Sequence, residues 1–320
     1  MVSFYMIQWV REVGVLMLSS RAFGAKVLLF GEYSVIRKSN ALALPYSLFD
    51  GHLVFQKDKN RSIDPELQAF SKYMKRLLEK DELGFEFDDK SFSFDISGGL
   101  IFDSSIPPGY GVGSSGALCA AVFERYAKIS DKQRKDIKFL KDCFSRMESH
   151  FHGSSSGIDP IISYLNSAIL ISDSGNLSKV EIPIYEKGNG AIFLLNTGRT
   201  RRTEPLVNLF LEKCSSKDFA YLCDRVLSPI SNRCIDHFLS GDTENLYKEM
   251  EELSTFQFEH FRPMIPNLFQ ELWEVGLKTG NYHLKLCGAG GGGFLLGITR
   301  DMSRLSEDFC AAEVRPLFHF

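Results

Sequence analysis

The segment from Pro107 to Ala120, PPGYGVGSSGALCA, constrains this chain more than any other stretch. Glycines stand at alternate positions 109, 111 and 113, and a serine pair then leads into small, helix-favouring residues. Because glycine has no Cβ, these positions accept positive φ and let several backbone N–H groups face one anion. A helix opened by Ser114 and Ser115 would point the positive end of its dipole at the same anion. The sequence therefore predicts a phosphate-binding loop, with an ordinary Gly-rich turn as the plain alternative.

Two better-known phosphate motifs do not fit this loop. No Lys precedes the serine pair, as a Walker A sequence requires, and the second Gly-to-Gly gap is too short for a dinucleotide fingerprint. The hydroxyl of Ser115 is a candidate ligand of magnesium, as the Ser or Thr of other phosphate loops is.

Composition excludes several classes of protein. The 320 residues, 44% hydrophobic and 24% charged, suffice for two domains with cores of their own. With 37 Lys plus Arg against 40 Asp plus Glu, no global basic field attracts nucleic acid or an anionic membrane. Seven scattered cysteines without a CxxC pair indicate reduced thiols and a cytoplasmic protein. Arg11 and Glu12 interrupt the apolar N-terminal run before it reaches the length of a signal peptide or a transmembrane helix. Two alternatives stay open for this run: translation starts later, at Met6 or Met17, or the run forms an extra strand.

Periodicity predicts alternating strands and helices. The predicted strands are Ala25–Phe30, Ala41–Pro45, His52–Gln56, a hairpin of Phe85–Phe87 with Phe92–Ile96, Ala168–Ser172, Ala191–Leu195, His283–Cys287 and Phe294–Ile298. Helices are predicted after the cap Asp64, after the serine pair, around Ile137 to Met147, and through 203–278 with breaks near Pro229, Pro263 and Pro266. The segment EKGNG at 186–190 is the best linker candidate.

Several polar residues each have a plain and a functional interpretation. In the plain interpretation, Lys26 is a solvated charge at the end of a strand and Glu148 is an exposed charge on a helix. Asp159 then caps a helix through Ile161 to Leu165. In the functional interpretation, the three residues share one site. His150 and His152 have no third ligand nearby, so we interpret them as packing or hydrogen-bonding residues. The three arginines of NTGRTRRT, at 199, 201 and 202, form a solvated turn or an anion clamp. The five glycines within Gly288–Gly293 predict close approach to another backbone or a ligand.

Four of these segments, taken in order, resemble one family. AKVLLFGEYSV, IPPGYGVGSSGA, FHGSSSGIDP and LKLCGAGGGGF are similar to the four signatures of the galactokinase, homoserine kinase, mevalonate kinase and phosphomevalonate kinase (GHMP) superfamily. Within it the pattern is most similar to bacterial mevalonate kinase-like proteins, because Glu148 precedes Asp159 by eleven residues, with a His-Gly pair between them. NTGRTRRT also resembles the substrate loop of that subfamily.

The resemblance implies a fold and a reaction. It implies an α+β fold of two domains, residues 1–188 like the second domain of ribosomal protein S5 and residues 189–320 ferredoxin-like, with the active site in the cleft between. The implied reaction is ATP-dependent phosphorylation of the primary hydroxyl of mevalonate, with Mg²⁺. The implied partners are ATP and a small hydroxy-acid, without nucleic acid or membrane; a homodimer stays open.

Site residues follow from the resemblance, position by position. Asp159 would be the catalytic base, assisted by Lys26, and Ser115 with Glu148 would bind magnesium. The implied nucleotide contacts are Pro108, Gly109, Gly111, Gly113, Ser114, Ser115, Gly116, Ala117 and Glu32. The implied substrate contacts are Ser156, Arg201, Thr203, Tyr33 and Gly290.

Three departures from the family pattern bear on the substrate. Tyr33 replaces a usual His, SSSG replaces a more common Thr/Asn-Pro-Ser-Gly, and Met264 to Pro266 differ from the usual substrate helix. The alternatives are another GHMP kinase such as phosphomevalonate kinase, for which the three arginines would bind the substrate phosphate, and a catalytically silent member of the superfamily.

Overall fold

A computed structural model describes residues 21–56, 62–184, 188–200, 203–305, 309 and 313–320 of the chain. The predictions for the first twenty residues, for Arg201 and Arg202, and for part of the EKGNG segment lie outside the described residues. None of the helices in these ranges is long and apolar enough to cross a membrane.

Strands and helices alternate along the described chain. The strands are β1 (Phe23–Phe30), β2 (Ala41–Phe55), β3 (Glu86–Phe87), β4 (Leu100–Ser104), β5 (Ala127–Lys128), β6 (Ile169–Ile171), β7 (Leu177–Lys179), β8 (Ala191–Asn196), β9 (Tyr282–Leu286), β10 (Phe294–Thr299) and β11 (Val314–His319). The α-helices are α1 (Pro65–Glu79), α2 (Asp89–Ser97), α3 (Ser114–Tyr126), α4 (Ile137–His152), α5 (Ile158–Leu165), α6 (Thr203–Lys213), α7 (Lys217–Leu222), α8 (Ser228–Ser240), α9 (Thr243–His260) and α10 (Asn267–Thr279). The mixture agrees with the predicted α+β class.

The described chain falls into two compact units, each assembled from separate segments. One contains Ser47–Ile106 and Ser114–Asn166 together with the described residues before Lys26, and the other contains Lys26–Tyr46, Pro107–Gly113 and Ser167–Phe320. These units are defined by close packing, and their boundaries need not coincide with those of the predicted domains. The domain boundary predicted at residue 188 therefore stays a prediction.

The first unit is built around α3. Its residues from Gly116 to Phe123 are all buried, as the small and apolar sequence GALCAAVF predicts. Phe123 at the end of this run packs on Phe144 of α4, with ring centroids 4.7 Å apart, and on Tyr164 of α5 at 5.4 Å. Burying an aromatic ring of this kind contributes about 1.5–3 kcal/mol. Packing of α3 against its two neighbours therefore fixes the serine pair at the start of α3 relative to the third motif, which lies at the junction of α4 and α5.

The second unit contains an antiparallel sheet in the order β11-β8-β10-β9. Its register is set by pairs such as Phe294 with Asn196 and Leu295 with Leu286. Every residue of β9 and β10 is buried. These two strands are joined by the glycine-rich segment Gly288–Gly293, so the fourth motif is anchored at both ends in the core.

Three predictions about strands were wrong. Phe92–Ile96 lies in α2 rather than in a strand, because Asp88 caps that helix by accepting a hydrogen bond from the Ser91 amide, and buried Phe92 and Ile96 also fit helical spacing. β3 pairs with β5 instead of forming a hairpin. Ala41–Phe55 is one continuous strand rather than two.

The prolines of the helical region behave differently from one another. Pro229 does not break the helix, because it lies in the first turn of α8, where a missing N–H is tolerated. A single π-helical turn, Cys223–Leu227, joins α7 to α8 instead. Pro263 and Pro266 lie between α9 and α10, which confirms the predicted break there.

Candidate active site

The glycine loop has the backbone conformation that its sequence predicts. Gly109, Gly111 and Gly113 have φ of 76°, 72° and 83°, in the left-handed region that favours glycine, and α3 begins at Ser114. The predicted left-handed glycines and the predicted helix start are confirmed, and phosphate binding by the loop stays a prediction.

Lys26 of β1 lies against this loop. Its amide donates a hydrogen bond of 2.8 Å to the carbonyl of Val112. A Cβ added at Gly113 would come within 2.8 Å of the Lys26 Cγ, so the aliphatic part of the side chain lies across that glycine. Any side chain at position 113 would have to displace Lys26.

A polar cluster surrounds the hydroxyl of Ser115 in the first turn of α3. This hydroxyl donates to Oε1 of Glu148 at 3.1 Å and lies 3.0 Å from Nε2 of His152. Ser155 donates to the other oxygen of Glu148, and the amide of Gly157 donates to the Ser155 hydroxyl at 3.0 Å. Glu148 is only 3% exposed, so it is not the exposed helix charge of the plain interpretation.

Asp159 lies in the first turn of α5, which begins after Gly157 in a left-handed conformation, φ 72°. It is therefore not the cap of a helix that starts at Ile161. A Cβ added at Gly116 would come within 2.9 Å of the Asp159 carbonyl carbon and 3.1 Å of its Cβ. The helix that carries Ser115 thus touches the backbone of Asp159 through a glycine.

The donor atoms around Ser115 fit a magnesium ion. Mg²⁺ prefers oxygen ligands and at kinase sites takes only one or two protein groups, with phosphates and water completing its shell. The Ser115 hydroxyl and the Glu148 carboxylate, in direct contact, supply two such oxygens. No group of three or more His, Cys, Asp or Glu residues suited to a metal occurs in the described parts of the chain.

The other nucleotide candidates in the loop differ in what they can offer. Ala117 is fully buried, so only its backbone could serve a ligand. Pro108 lies in the turn that leads into the loop and has no N–H to donate. Ser114 is half-buried at the start of α3.

Glu32 forms a buried ion pair. Its Oε1 lies 2.7 Å from Nζ of Lys285, and the side chains are 2% and 0% exposed. Gln257 donates to the same Oε1 at 2.8 Å and accepts at 2.7 Å from the amide of Leu286, while Nζ of Lys285 donates to the Leu286 carbonyl at 2.7 Å. Oε2 of Glu32 is buried and has no hydrogen-bond partner among the described residues. These contacts connect the first motif with the strand residues at the start of the fourth.

Tyr33 makes a parallel connection. Its backbone is left-handed, φ 63°, and its buried hydroxyl donates to the carbonyl of Ala289 at 2.6 Å. Its ring packs on Phe210 and Phe261, with centroids 4.7 and 5.1 Å away. The side chain therefore binds the fourth motif directly, and its predicted role toward a substrate stays a prediction.

The Gly288–Gly293 segment approaches other backbone as its composition predicts. A Cβ at Gly290 would lie 2.5 Å from the Met264 carbonyl, and one at Gly293 would overlap the carbonyl of Tyr110 in the first glycine loop. The amide of Gly291 donates to the Met264 carbonyl at 2.6 Å, and that of Gly293 to the Arg199 carbonyl at 2.6 Å. The two glycine-rich loops are thus in backbone contact.

The remaining substrate candidates are less defined. Ser156 is exposed, and its hydroxyl lies 3.5 Å from the amide of Ile158. Thr203 is the first residue of α6, whereas Arg201 lies outside the described residues. Arg199 is exposed.

The sequence did not predict the contacts that four residues make with Ser115, Glu148 or Glu32. The interpretation of His152 as a packing or hydrogen-bonding residue names no partner, although its spacing of four from Glu148 places both on one helix face. Lys285 lies between apolar residues of a strand. A lysine in such a position predicts a buried charge that needs an acidic partner. Ser155 and Gln257 carry no comparable signal.

Two other titratable groups lie near the cluster, half-buried His150 and buried Cys119. His150 packs on Phe70 and Tyr73, at 5.4 and 5.0 Å, and burial together with the charge of Arg76 lowers its pKa. Burial raises the pKa of the Cys119 thiol well above its ordinary value. Neither is suited to charged chemistry at neutral pH.

Residues 70–167 match the family model of the GHMP kinases N terminal domain. That range includes the first glycine loop, Ser115, Glu148 and Asp159. Over this range the chain is similar to the N-terminal domain of the GHMP kinases. The resemblance seen in the four motifs is thereby confirmed at the level of the superfamily.

Two curated relatives show the extent of the sequence similarity. A mevalonate kinase of Pyrococcus abyssi is 25% identical over 312 residues, covering 88% of both chains. A mevalonate kinase of Dictyostelium discoideum is 24% identical over 238 residues, and the match spans 64% of this chain and 58% of that relative.

Solved structures show the same fold. The L. major mevalonate kinase in complex with R-mevalonate has a TM-score of 0.61 at 17% identity, covering 92% of this chain and 95% of that one. The Streptococcus pneumoniae phosphomevalonate kinase has a TM-score of 0.62 at 13% identity, covering 94% and 98%. The predicted two-domain α+β fold is confirmed by these likenesses.

Proposed function

We propose that this GHMP kinase transfers the terminal phosphate of ATP to the primary hydroxyl of mevalonate, giving 5-phosphomevalonate. The observation that carries the proposal is the contact between the Ser115 hydroxyl and the Glu148 carboxylate, directly after a glycine loop with left-handed backbone. The names of the curated relatives support mevalonate as the acceptor.

The residues supply what phosphoryl transfer requires. Such transfer asks the protein for in-line positioning and neutralisation of phosphate charge rather than for covalent chemistry. The amides of the glycine loop and the N-terminus of α3 would bind the phosphates, and Ser115 with Glu148 would hold Mg²⁺. When bound, Mg²⁺ neutralises charge on the phosphate oxygens.

Asp159 and Lys26 would act on the acceptor alcohol. Asp159 would take its proton as general base, a role that contributes about 10²–10⁴-fold in typical enzymes. Lys26 would lower the pKa of the alcohol by its positive charge. Glu32, Tyr33, Ser156, Arg201, Thr203 and Gly290 remain proposed contacts of the nucleotide or the acceptor.

A coupled assay of ADP release tests the proposal. We expect release that depends on ATP and magnesium with mevalonate, and little with phosphomevalonate, homoserine or galactose. Product identity would be checked by mass spectrometry. ADP release with none of the four acceptors, in a folded protein that binds ATP, would contradict mevalonate phosphorylation and favour a silent member of the superfamily.

Phosphomevalonate is the second candidate acceptor. Its extra phosphate would need cations. Arg199 is exposed, and Arg201 and Arg202 follow it in the sequence. The likeness to a phosphomevalonate kinase structure supports the same fold only. Faster turnover of phosphomevalonate than of mevalonate in the assay would favour this candidate.

A further inference from the structure

His152 contacts Ser115 but has no role in the reaction proposed above. Its Nε2 lies 3.0 Å from the hydroxyl of Ser115, and that hydroxyl is already 3.1 Å from Glu148 Oε1. Glu148 and His152 are four residues apart on α4, so the helix presents both to the same serine. One hydroxyl therefore has a carboxylate and an imidazole as neighbours.

The number of protons at this hydroxyl limits what it can do. A serine hydroxyl has one proton to donate and two lone pairs, and an ionised carboxylate only accepts. While Glu148 accepts the proton of Ser115, His152 can only donate to the serine oxygen. A cation bound to both Ser115 Oγ and Glu148 Oε1 would use lone pairs of both atoms. The charge of the cation would repel the serine proton from the space between these two oxygens, so the proton would need a different acceptor.

We propose that His152 is a positioning residue for the cation site: with a divalent cation bound, its Nε2 would accept a hydrogen bond from the Ser115 hydroxyl and so direct a serine lone pair at the ion. The ring would carry its own proton on Nδ1 in that state. His152 is exposed, so solvent can exchange the ring proton between the two nitrogens. This inference rests on the proposed function, because it assumes that Ser115 and Glu148 hold the cation.

The chemistry of the ion separates this role from direct ligation. Mg²⁺ favours oxygen ligands over imidazole nitrogen, whereas groups that orient the ligands of a metal commonly change affinity 10–100-fold when they are lost. His152 acts in this scheme through Ser115 and does not touch the ion.

The test measures binding of Mn²⁺, as a magnetic substitute for Mg²⁺, to the full-length protein with saturating ADP. Free Mn²⁺ is followed by electron paramagnetic resonance. We expect His152→Leu to weaken Mn²⁺ binding about tenfold. His152→Gln keeps an acceptor oxygen at similar reach, so it should stay within roughly threefold of the wild type.

His150→Leu is the matched control, since His150 lies on the same helix but packs on Phe70 and Tyr73. It should leave Mn²⁺ binding unchanged, and thermal unfolding of each variant verifies that the protein is folded. Electron spin-echo modulation of bound Mn²⁺ should show no directly coordinated nitrogen.

Four results would overturn the inference. They are wild-type affinity in His152→Leu, an equal loss in His152→Gln and His152→Leu, an equal loss in the His150 control, and a directly coordinated nitrogen in the wild type. A wild-type protein that binds no Mn²⁺ with ADP would overturn the proposed cation site as well. Absence of mevalonate phosphorylation with His152-dependent Mn²⁺ binding would contradict only the proposed acceptor.

Discussion

Asp159 is the residue on which the proposed chemistry depends most directly. Asp159→Asn removes the proposed base but keeps the size and shape of the side chain, so we expect kcat to fall by about 10²–10⁴-fold. Affinity for ATP, measured by calorimetric titration, should stay close to that of the wild type. Asp131→Asn, in an exposed turn, is the matched control and should keep full turnover. Full turnover in Asp159→Asn would remove the base assignment.

The pair of Glu32 and Lys285 sets a second prediction at the scale of single residues. Lys285→Met leaves a carboxylate buried without its ammonium, and breaking a buried pair in this way costs about 3–5 kcal/mol. Urea unfolding should show this loss, and adding Glu32→Gln should recover part of it because no unpaired charge then remains. Lys278→Met, which breaks an exposed pair with Glu274, should change the midpoint little. Equal effects of the two lysine variants would contradict the argument.

At the scale of elements, the contact between α3 and α5 depends on Gly116. Gly116→Ala places a Cβ within 2.9 Å of the Asp159 carbonyl carbon and the Pro160 nitrogen, so the helices must separate. Overpacking of this kind costs about 1–3 kcal/mol. We expect both a lower unfolding midpoint and a lower kcat, because Ser115 and Asp159 move with these helices.

A second glycine separates the two effects. Gly276→Ala in α10 makes the same chemical change and overlaps Tyr282, at 2.5 Å from its ring and 2.7 Å from its carbonyl oxygen. It should lower the unfolding midpoint in urea while kcat stays close to that of the wild type. If both variants lowered kcat equally, a local effect of Gly116 on the site would be excluded.

Elements whose signals are local could be predicted from the sequence. Asp64 and Pro65 predict the start of α1, and the alternating glycines predict left-handed loop backbone before α3. Phe92–Ile96 could not be assigned, because alternating phenylalanines fit a strand and a helix equally until the Asp88 cap is seen. The partners of Glu32 could not be derived either, because Gln257 and Lys285 lie more than 200 residues away in the chain.

At the scale of the whole molecule, His283 makes stability depend on pH. It is 1% exposed, and neither ring nitrogen has a hydrogen-bond partner among the described residues. Burial, with a smaller contribution from the charge of Arg300, lowers the pKa of His283 to about 4. The unfolded chain, with an ordinary pKa near 6.5, then binds a proton that the folded chain does not, so stability falls as pH decreases from about 6.5 toward 4.

Linkage gives the size of this effect. Between pH 7.5 and 5.0 His283 should reduce the free energy of unfolding by about 2 kcal/mol. Urea unfolding of the wild type and of His283→Leu at both pH values measures it, since the difference between the two proteins cancels the carboxylates that also titrate. The same loss in both proteins would contradict a neutral, buried His283.

The buried Glu32 and Lys285 pair also bears on how this protein can be divided for study. A recombinant fragment that stops at residue 188 would keep Glu32 and lose its partner Lys285. It would also lose the carbonyl of Ala289, which accepts the hydrogen bond of the Tyr33 hydroxyl. Nucleotide-binding work on such a truncated piece would report on a damaged first motif. Co-expression of both halves, or a circular permutant that retains both, is the sounder design.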